Sequence, residues 1–394
     1  MARILWLNWS GGGNLPPSLG IARVLTERGH TVAFAGRPEM VPRVKAAGLR
    51  AIEFAQAYAQ VDRYPRGHPM SRAACYLTSP AVAEEAKTIV ETEAPDLILI
   101  DGMFPAALAQ AAQFGCPAIA VCHQFCFRII DRWRNTNNTM LNGMRQQAGF
   151  PGLPELDRLW LGCDRIIVTT LGEFDGAPLP GWESVRHVGP VLEDEKVAIP
   201  IALPWREDDS IPLVLMSFST GFEQRSVQKL QNGLDALADL PVHVVVTTGG
   251  VVDPAELKPS ANAVIFKYAA HDPILRAAAL SITHGGHGTL MRCLAHGVPM
   301  VLIPGLAHDQ APNAAIMQQW GTGVALPGDA GSAAIREAAQ QVLSTPSYRQ
   351  NAQLRSSSLK GVDGAANAAN AIEAVLASSP ITGAKDRTSG RALL

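Results

Sequence analysis

The sequence predicts an α/β protein built from two Rossmann-like, doubly wound domains, and three observations support this. Short runs rich in Ile, Val and Leu alternate with Ala-rich stretches, a pattern typical of parallel strands covered by helices on both faces. After about Pro190 the alternation gives way to a polar stretch that continues through residues 204–210, and then it begins again. The 394 residues also match the length of two ordinary domains.

The first half contains one predicted helix and five predicted strands. The helix follows the first turn, with Pro17 near its start and residues 18–27 as its body, because proline is favoured in the first turn of a helix. We expect residues 1–204 to form the first domain. The predicted strands cover residues 3–9, 31–35, 96–101, 118–122 and 165–169.

A fresh set of five strands and a terminal Ala-rich helix are predicted in the second half. We expect residues 205–380 to form the second domain and the polar residues 381–394 to form a flexible tail. Open α/β sheets bind ligands at the carboxyl ends of their strands, so two such domains facing each other across a cleft would suit an enzyme with two substrates. The strands cover residues 213–218, 242–247, 263–266, 280–283 and 300–303, and the helix covers residues 364–378.

The composition excludes several partners and locations. With 33 basic and 35 acidic residues the net charge is −2, too little positive charge to hold a nucleic acid. Gly, Pro or charged residues interrupt every apolar stretch, so no membrane span is expected, and the short N-terminal apolar run predicts a strand rather than a signal peptide. We expect a cytoplasmic protein, monomeric or homodimeric, whose six scattered cysteines are reduced thiols.

A glycine-rich turn between a strand and a helix is the strongest functional signal. Residues 280–289 have the sequence Leu-Ser-Ile-Thr-His-Gly-Gly-His-Gly-Thr, and a helix is predicted over residues 290–296. Glycines allow the backbone to approach a ligand closely, and the free N–H groups at the positive end of the new helix face that ligand. His284 can add a ring N–H and Thr289 a hydroxyl, so the sequence predicts a diphosphate-binding site.

Two other interpretations of this turn remain open from the residues alone. Its three glycines and two histidines could form an ordinary strand-to-helix turn. His284 and His287, with Cys293 and His296 further along, also have a spacing found in zinc sites. Zinc is less favoured because a metal does not need a glycine-rich backbone. The acidic run at residues 193–195 lies in the predicted linker, so no metal is expected.

An ordered series of motifs around the turn resembles a known enzyme family. From His284 the series continues through 297–299 (Gly-Val-Pro) and Pro304 to 308–310 (His-Asp-Gln) and 313–314 (Asn-Ala). It is similar to the donor-binding signature of the family-one nucleotide-sugar glycosyltransferases of the GT-B fold, especially bacterial natural-product enzymes. Segments 28–32 and 218–220 also have counterparts there, so the resemblance covers nearly the whole chain.

The resemblance implies that the donor is a UDP- or TDP-sugar and that it binds without a cofactor. Asp309 and Gln310 are then implied to hydrogen-bond the sugar hydroxyls, although Asp309 could alternatively cap a helix. Ser219 and Thr220 would approach the phosphates from another strand end. The nucleotide base would contact the segment at residues 268–271, including Ala269, where Ala270 replaces the family's usual proline. The implied donor-binding residues of the turn are His284, Gly286, His287, Gly288 and Thr289.

The catalytic base is where the sequence departs from the family. Inverting transfer needs a base to take the acceptor's proton while the diphosphate leaves. The family carries a histidine three residues before the proline that opens the first helix, and counting back from Pro17 gives Asn14, whose amide cannot accept that proton. Asp101 matches the aspartate that normally orients the histidine and is the first candidate, with Asn14 positioning the acceptor. His123, at the end of the next strand, is the second candidate.

The acceptor is expected in the first domain, whose loops contain many apolar and aromatic residues. The predicted acceptor-binding residues are Met103, Phe104, Phe125 and Phe127, although each also suits a role in the core. They favour a hydrophobic acceptor such as a polyketide or an aromatic compound, and an acceptor that ionises readily would need little help from a base. Two alternative functions are a GT-B-like sugar-nucleotide epimerase and a non-catalytic partner of another transferase. The loop at residues 10–14 lacks the dinucleotide fingerprint, which disfavours a dehydrogenase.

Overall fold

The chain folds into two compact units. The structure is a computed structural model, and the first unit contains Met1–Val191 and the residues from Asp363 onward, whereas the second contains Leu192–Val362. The predicted tail at 381–394 lies outside the described residues. Those described are residues 1–9, 13–61, 79–139, 142–143, 152, 156–192, 203–205, 210–218, 226–305, 307 and 309–378.

A parallel sheet of seven strands forms the centre of the first unit. Its order is β3-β2-β1-β4-β5-β6-β7, and every neighbouring pair is parallel. All five predicted strands are present, whereas β3 and β7 are short edge strands with mixed sequences that no apolar run reveals. The strands are β1 (Arg3–Asn8), β2 (Thr31–Gly36), β3 (Arg50–Glu53), β4 (Leu97–Asp101), β5 (Ala118–Cys122), β6 (Arg165–Val168) and β7 (Val185–His187).

The opening helix of the first unit begins earlier than its predicted body. It covers Leu15–Glu27, with its two prolines in the first turn. Proline has no N–H group, but residues of the first turn do not donate hydrogen bonds within the helix, so none is lost. Among the described residues of this unit, the other α-helices are Val41–Ala46, Ala55–Val61, Pro80–Glu93, Pro105–Leu108, Ile130–Arg132, Leu156–Leu161, Gly172–Asp175 and Gly364–Ser378.

The last helix, Gly364–Ser378, packs on the first unit, which differs from the expected domain boundary. Its buried residues Ala368 and Ile372 join the apolar core that β1 and β2 contribute to. Glu373, on the same helix, accepts a hydrogen bond of 2.7 Å from the guanidinium of Arg28. Helical periodicity identifies an apolar face in the sequence, but it does not reveal which of two cores that face covers.

A second parallel sheet, of six strands, forms the centre of the second unit. Its order is β10-β9-β8-β11-β12-β13. The five predicted strands are present, and the three-residue β13 is additional. The strands are β8 (Leu213–Ser217), β9 (His243–Thr247), β10 (Ala263–Phe266), β11 (Ala278–Thr283), β12 (Met300–Leu302) and β13 (Gly323–Ala325). The helices are Val227–Leu237, His271–Ala277, His287–Ala295, Gln310–Gln319, Ser332–Ser344 and Pro346–Leu359.

Each sheet has a point where strand order reverses, between β1 and β4 in the first and between β8 and β11 in the second. Open α/β sheets bind ligands outside the carboxyl ends of the strands at such points. Asp101 ends β4, and Ser217 and Thr283 end β8 and β11. The candidate site residues therefore lie where this fold class binds its ligands. Among the helices described, none is long and apolar enough to cross a membrane.

Candidate active site

The glycine-rich turn lies at the carboxyl end of β11, beside the switch point of the second sheet. Strand β11 ends at Thr283, and the helix His287–Ala295 begins three residues before the predicted start. Gly286 precedes this helix and supplies no side-chain cap. The backbone N–H groups of the first helical turn therefore have no partner within the helix, and they form an anion-binding end.

The surroundings of the turn require two of its glycines. Gly285 has a φ angle of +87°, which is strained for a residue with a Cβ, and a Cβ there would lie 3.1 Å from the Gln310 carbonyl oxygen. A Cβ on Gly286 would lie 2.5 Å from Nε2 of His284. Gly288 differs, because it is exposed and a Cβ there would meet no heavy atom within 4 Å. The turn is therefore closed beside His284 and open beside Gly288.

The imidazole of His284 is uncharged at neutral pH in the free protein. Burial, with a contribution from the Lys229 charge, lowers the pKa of His284 to about 4. The Asp309 carboxylate opposes this shift, as does a hydrogen bond from the ring to the Ser217 carbonyl. A neutral imidazole has a single N–H, so donation to Ser217 and to a phosphate at the same time requires the protonated ring.

Asp309 is held at the turn by Asn313, a residue to which the sequence analysis gave no role. The side-chain amide of the fully buried Asn313 donates to the Gly285 carbonyl at 2.9 Å and to Oδ2 of Asp309 at 3.2 Å. Asp309 precedes the helix Gln310–Gln319 but makes no side-chain cap bond to it. Asn313 therefore orients the Asp309 carboxylate relative to the turn, and Asp309 does not cap the helix through its side chain.

Gln310 is buried, whereas the expected contact with a sugar hydroxyl needs an accessible side chain. Its side chain is only 2% exposed, and its Oε1 accepts a hydrogen bond of 2.6 Å from the backbone N–H of Gly305. The amide oxygen is therefore engaged with the loop that precedes the helix. In this arrangement Gln310 shapes that loop, and Asp309 is the half-buried member of the pair.

A chain of hydrogen bonds joins the ends of β8 and β9. The Thr247 hydroxyl donates to Oγ of Ser217 at 2.8 Å, and Nε2 of His271 lies 3.0 Å from the same Thr247 oxygen. Because the Thr247 proton is already used, His271 is the donor of the second bond. Ser217, at the switch point, was missed because it lies inside a continuous apolar run. The predicted phosphate contacts Ser219 and Thr220 lie outside the described residues.

The segment expected to contact the nucleotide base precedes the helix His271–Ala277. Ala269 is half-buried there, and its neighbour Tyr268 is 52% exposed. The Tyr268 phenol lies so close to Gly250 that a Cβ on this glycine would be 2.1 Å from the phenol oxygen. His271 points back to β9, whereas Tyr268 is exposed and both Ala269 and Ala270 are half-buried.

In the first unit, Asn14 and Asp101 form a direct pair at the switch point. The Asn14 amide donates to Oδ2 of Asp101, and the Met103 backbone N–H donates to Oδ1 at 2.9 Å. Burial raises the pKa of Asp101 to about 6, although hydrogen bonds from Met103, Asn14 and the backbone of Trp9 lower it. Asp101 is therefore mostly a carboxylate at pH 7, with the capacity to take up a proton.

His123 lies beside this pair, but both of its ring nitrogens contact hydroxyl groups. Its Nε2 is 3.0 Å from Oγ of Ser18, and its Nδ1 is 3.2 Å from Oγ1 of Thr169. The Ser18 hydroxyl already donates to the Asn14 carbonyl at 2.8 Å, so Nε2 of His123 carries the hydrogen that joins it to Ser18. This geometry favours Asp101 over His123 as the base.

Three of the four predicted acceptor-binding side chains belong to the core. Phe104 and Phe125 are 0% exposed and Phe127 is 9% exposed, so the structure offers none of these rings as an open surface. Phe104 packs edge-on against Phe54, with ring centroids 5.8 Å apart. Met103, next to Asp101, is half-buried, and its contact with the acceptor stays a prediction. Aromatic residues in these loops can pack in the core or bind a ligand, and the sequence alone does not distinguish these two roles.

The two residues with zinc-like spacing beyond the turn are engaged elsewhere. The thiol of Cys293 is buried, which raises its pKa to about 11, and Nε2 of His296 lies 3.0 Å from Oδ1 of Asp272. In the ranges that the structure covers, no three potential metal-binding side chains come together. Cys293 and His296 therefore serve the packing of this helix, with Cys293 in the core and His296 bonded to Asp272.

Comparisons with known proteins find glycosyltransferases among the relatives of this chain. The family model described as UDP-glucoronosyl and UDP-glucosyl transferase matches residues 210–363. The chain is 25% identical to the NDP-glycosyltransferase YjiC of Bacillus subtilis (strain 168), covering 96% of this chain and 98% of that protein. It is 22% identical to the demethyllactenocin mycarosyltransferase of Streptomyces fradiae, covering 95% and 87%.

A solved structure extends the agreement to the fold. The calicheamicin glycosyltransferase CalG4 superposes with a TM-score of 0.76 at 25% identity, covering 96% of this chain and 99% of that one. This protein and the protein of known structure are therefore similar over nearly their whole lengths. The chain is a nucleotide-sugar glycosyltransferase of the family-one type and has the GT-B fold of two Rossmann-like domains.

Proposed function

We propose that the enzyme transfers a sugar from a UDP- or TDP-sugar to a hydrophobic small-molecule acceptor, with inversion at the anomeric carbon and without a metal. The observation that carries the proposal is the turn at residues 284–289, where the first-turn N–H end of the helix His287–Ala295 adjoins His284 at the switch point of the second sheet. The matching family's description names UDP, whereas YjiC is named for a nucleotide of unspecified base, so both donor classes are proposed.

The turn would stabilise the departing nucleoside diphosphate. When the bond from the anomeric carbon to the phosphate oxygen breaks, the electron pair stays on that oxygen, and the leaving group gains negative charge. The first-turn N–H groups and a protonated His284 are suited to that charge. Asp309, oriented by Asn313, would accept hydrogen bonds from sugar hydroxyls and hold the anomeric carbon in place.

Asp101 would take the acceptor's proton, directly or through one water molecule. A pKa of about 6 suits a general base near neutral pH, because most of the group is then ionised and can still take up a proton. Asn14 would position the acceptor. Its amide nitrogen is engaged by Asp101, while its Oδ1 is buried and accepts no hydrogen bond from the residues that the structure describes. A hydroxyl on the acceptor would satisfy that oxygen.

The names of two relatives support a natural-product acceptor. One is a calicheamicin glycosyltransferase and the other a demethyllactenocin mycarosyltransferase. The half-buried Met103 beside Asp101 supplies apolar surface for such a compound. We also propose a cytoplasmic location, which the buried free thiols of Cys122, Cys126 and Cys163 support.

A two-stage assay tests the proposal. Thermal unfolding with a panel of UDP- and TDP-sugars should identify a stabilising donor. Mass spectrometry with that donor and a set of aromatic and polyketide acceptors should then find a product one sugar heavier. NMR of the product should show an inverted anomeric configuration, and added EDTA should leave the rate unchanged.

Other outcomes of the assay would overturn the proposal. Retained configuration would exclude the single-step mechanism with Asp101 as base. A new sugar nucleotide formed without any acceptor would indicate an epimerase. Donor binding without turnover on any acceptor would indicate a non-catalytic partner of another transferase.

A further inference from the structure

Lys229 carries an ammonium group at the carboxyl edge of the second sheet, close to the glycine-rich turn. It is the third residue of the helix Val227–Leu237. Its Nζ donates to the carbonyls of Ile303 and Pro304, at 3.2 Å and 2.9 Å, just beyond the end of β12. The Ile303 backbone N–H in turn donates to the Thr283 carbonyl at 2.8 Å, on the neighbouring strand. The ammonium therefore lies one strand away from the residue that precedes His284.

This is an unfavourable place for a positive charge, which has only the two carbonyls and a weak contact with the Phe218 ring, whose centroid lies 5.8 Å from Nζ, among the described residues. Lys229 lies in the first turn of its helix, where the helix dipole disfavours a cation. The residue is half-buried, and burial lowers the pKa of its ammonium group, with exposed Asp329 opposing the shift. Within the described parts of the chain, no carboxylate forms an ion pair with it. A bound anion would compensate this cost.

The charge of Lys229 also reaches the turn itself. It is one of the causes that lower the pKa of His284, so the two groups repel each other when both are protonated. A diphosphate bound at the turn would separate and neutralise these two charges. Two of the three N–H groups of the ammonium are used by the Ile303 and Pro304 carbonyls, which leaves one donor for another acceptor.

We propose that Lys229 is the fixed cation of the donor site, binding the diphosphate of the sugar nucleotide with its remaining N–H. This inference rests on the proposed function. In the transfer, the bond from the anomeric carbon to the phosphate oxygen breaks and its electron pair stays on the phosphate. The acceptor's oxygen forms the new bond, and its proton passes to Asp101. Lys229 keeps its own protons and stabilises the added negative charge.

Two variants separate this role from a structural one. In Lys229→Gln the amide N–H group can still donate to a loop carbonyl, but the charge is lost, whereas Lys229→Met loses both. Calorimetric titration would compare UDP, UMP and uridine, and TDP, TMP and thymidine, on each full-length variant. We expect both variants to bind the diphosphate about tenfold more weakly or worse, the monophosphate less affected and the nucleoside unchanged. Lys258→Met, at an exposed lysine of the same unit, is the matched control and should bind all of them as wild type does.

Salt dependence and turnover give independent readouts. Diphosphate affinity should fall less steeply with added salt in Lys229→Gln than in wild type, because one ionic contact is absent. Its kcat should also fall, because the leaving group gains charge in the transition state. Equal weakening of diphosphate and nucleoside, or a Lys229→Gln variant that binds diphosphate like wild type, would overturn the assignment. If wild type itself bound no nucleoside diphosphate, the proposed function would fail instead, so the two failures are distinguishable.

Discussion

The side-chain amide of Asn14 donates a hydrogen bond to the Asp101 carboxylate, from the position where the related family carries a histidine. The amide keeps the aspartate oriented, but it does not provide a basic nitrogen. The aspartate that serves an orienting role in the family is therefore the only ionisable member of this pair. Its environment, buried but bonded by N–H groups, holds its pKa near 6, where a base can act at neutral pH.

Asp101→Asn should lower kcat by about 100-fold or more, because the amide cannot accept the proton. In wild type, kcat/KM should rise as pH increases through about 6 and level off above it, since the ionised form is the active one. Stopped-assay rates from pH 5 to 8 would show this limb, and titration with nucleoside diphosphate would confirm that donor binding is intact. A rate that Asp101→Asn leaves unchanged would remove Asp101 as the base.

Asn14→Leu should shift that acidic limb to higher pH. The Asn14 hydrogen bond lowers the pKa of Asp101, so its removal raises the pKa and leaves less carboxylate at neutral pH. Losing an interaction worth about 1.4 kcal/mol raises the proton affinity of Asp101 about tenfold, so we expect the rate to fall about tenfold at about pH 5 and about twofold at pH 7. The same pH series checks this, with thermal unfolding as the control for folding. An unshifted limb would show that Asn14 does not tune the aspartate.

His123→Gln should retain activity within about fivefold of wild type, because a glutamine amide can still bond to nearby hydroxyls and the base is elsewhere. His123→Leu should instead destabilise the protein by about 1–3 kcal/mol, since the buried Ser18 and Thr169 each lose a partner. Urea denaturation measures the second effect and initial rates the first. A loss of 100-fold in a stable His123→Gln protein would make His123 the base.

Gly286→Ala and Gly288→Ala should affect different properties. The first places a Cβ 2.5 Å from the His284 ring and should both lower stability and weaken donor binding about tenfold or more. The second has room in the free protein and should keep or slightly raise its melting temperature, because alanine is the better helix former. Its new methyl group faces the predicted diphosphate, so donor affinity should still fall. Gly331→Ala, also in open space, is the control that should leave donor binding unchanged.

Nucleoside diphosphate binding should be accompanied by proton uptake at His284. The ring has a pKa of about 4 in the free protein, and a bound phosphate favours the protonated form, which raises this value. Affinity should therefore increase as pH falls from 7 toward 5. Titrations in buffers of different ionisation enthalpy would count the protons. His284→Asn should lose both the proton uptake and this pH dependence, and an equal pH dependence in that variant would assign it to another group.

The sequence predicts the central parts of both sheets because their strands are buried throughout and appear as unbroken apolar runs, as in β4 and β5. It also predicts the turn, whose glycines are required locally by Gly285 backbone geometry and by the His284 ring. Relationships between distant segments are what it does not reveal. The burial of Gln310, the bond from Asn313 to Gly285 and the hydroxyl partners of His123 all depend on which loops meet, and a pattern along the chain does not contain that information.

The helix Gly364–Ser378 makes the second unit an insertion within the first. A Cβ on Gly364 would lie only 2.5 Å from the Gly189 carbonyl oxygen, so the chain re-enters the first unit beside the point where it left. On the ribosome, the first core stays incomplete until the last helix emerges. A protein shortened at residue 362 lacks part of that core, whereas deletion of residues 192–362 with a short bridge should leave the first unit with its core complete.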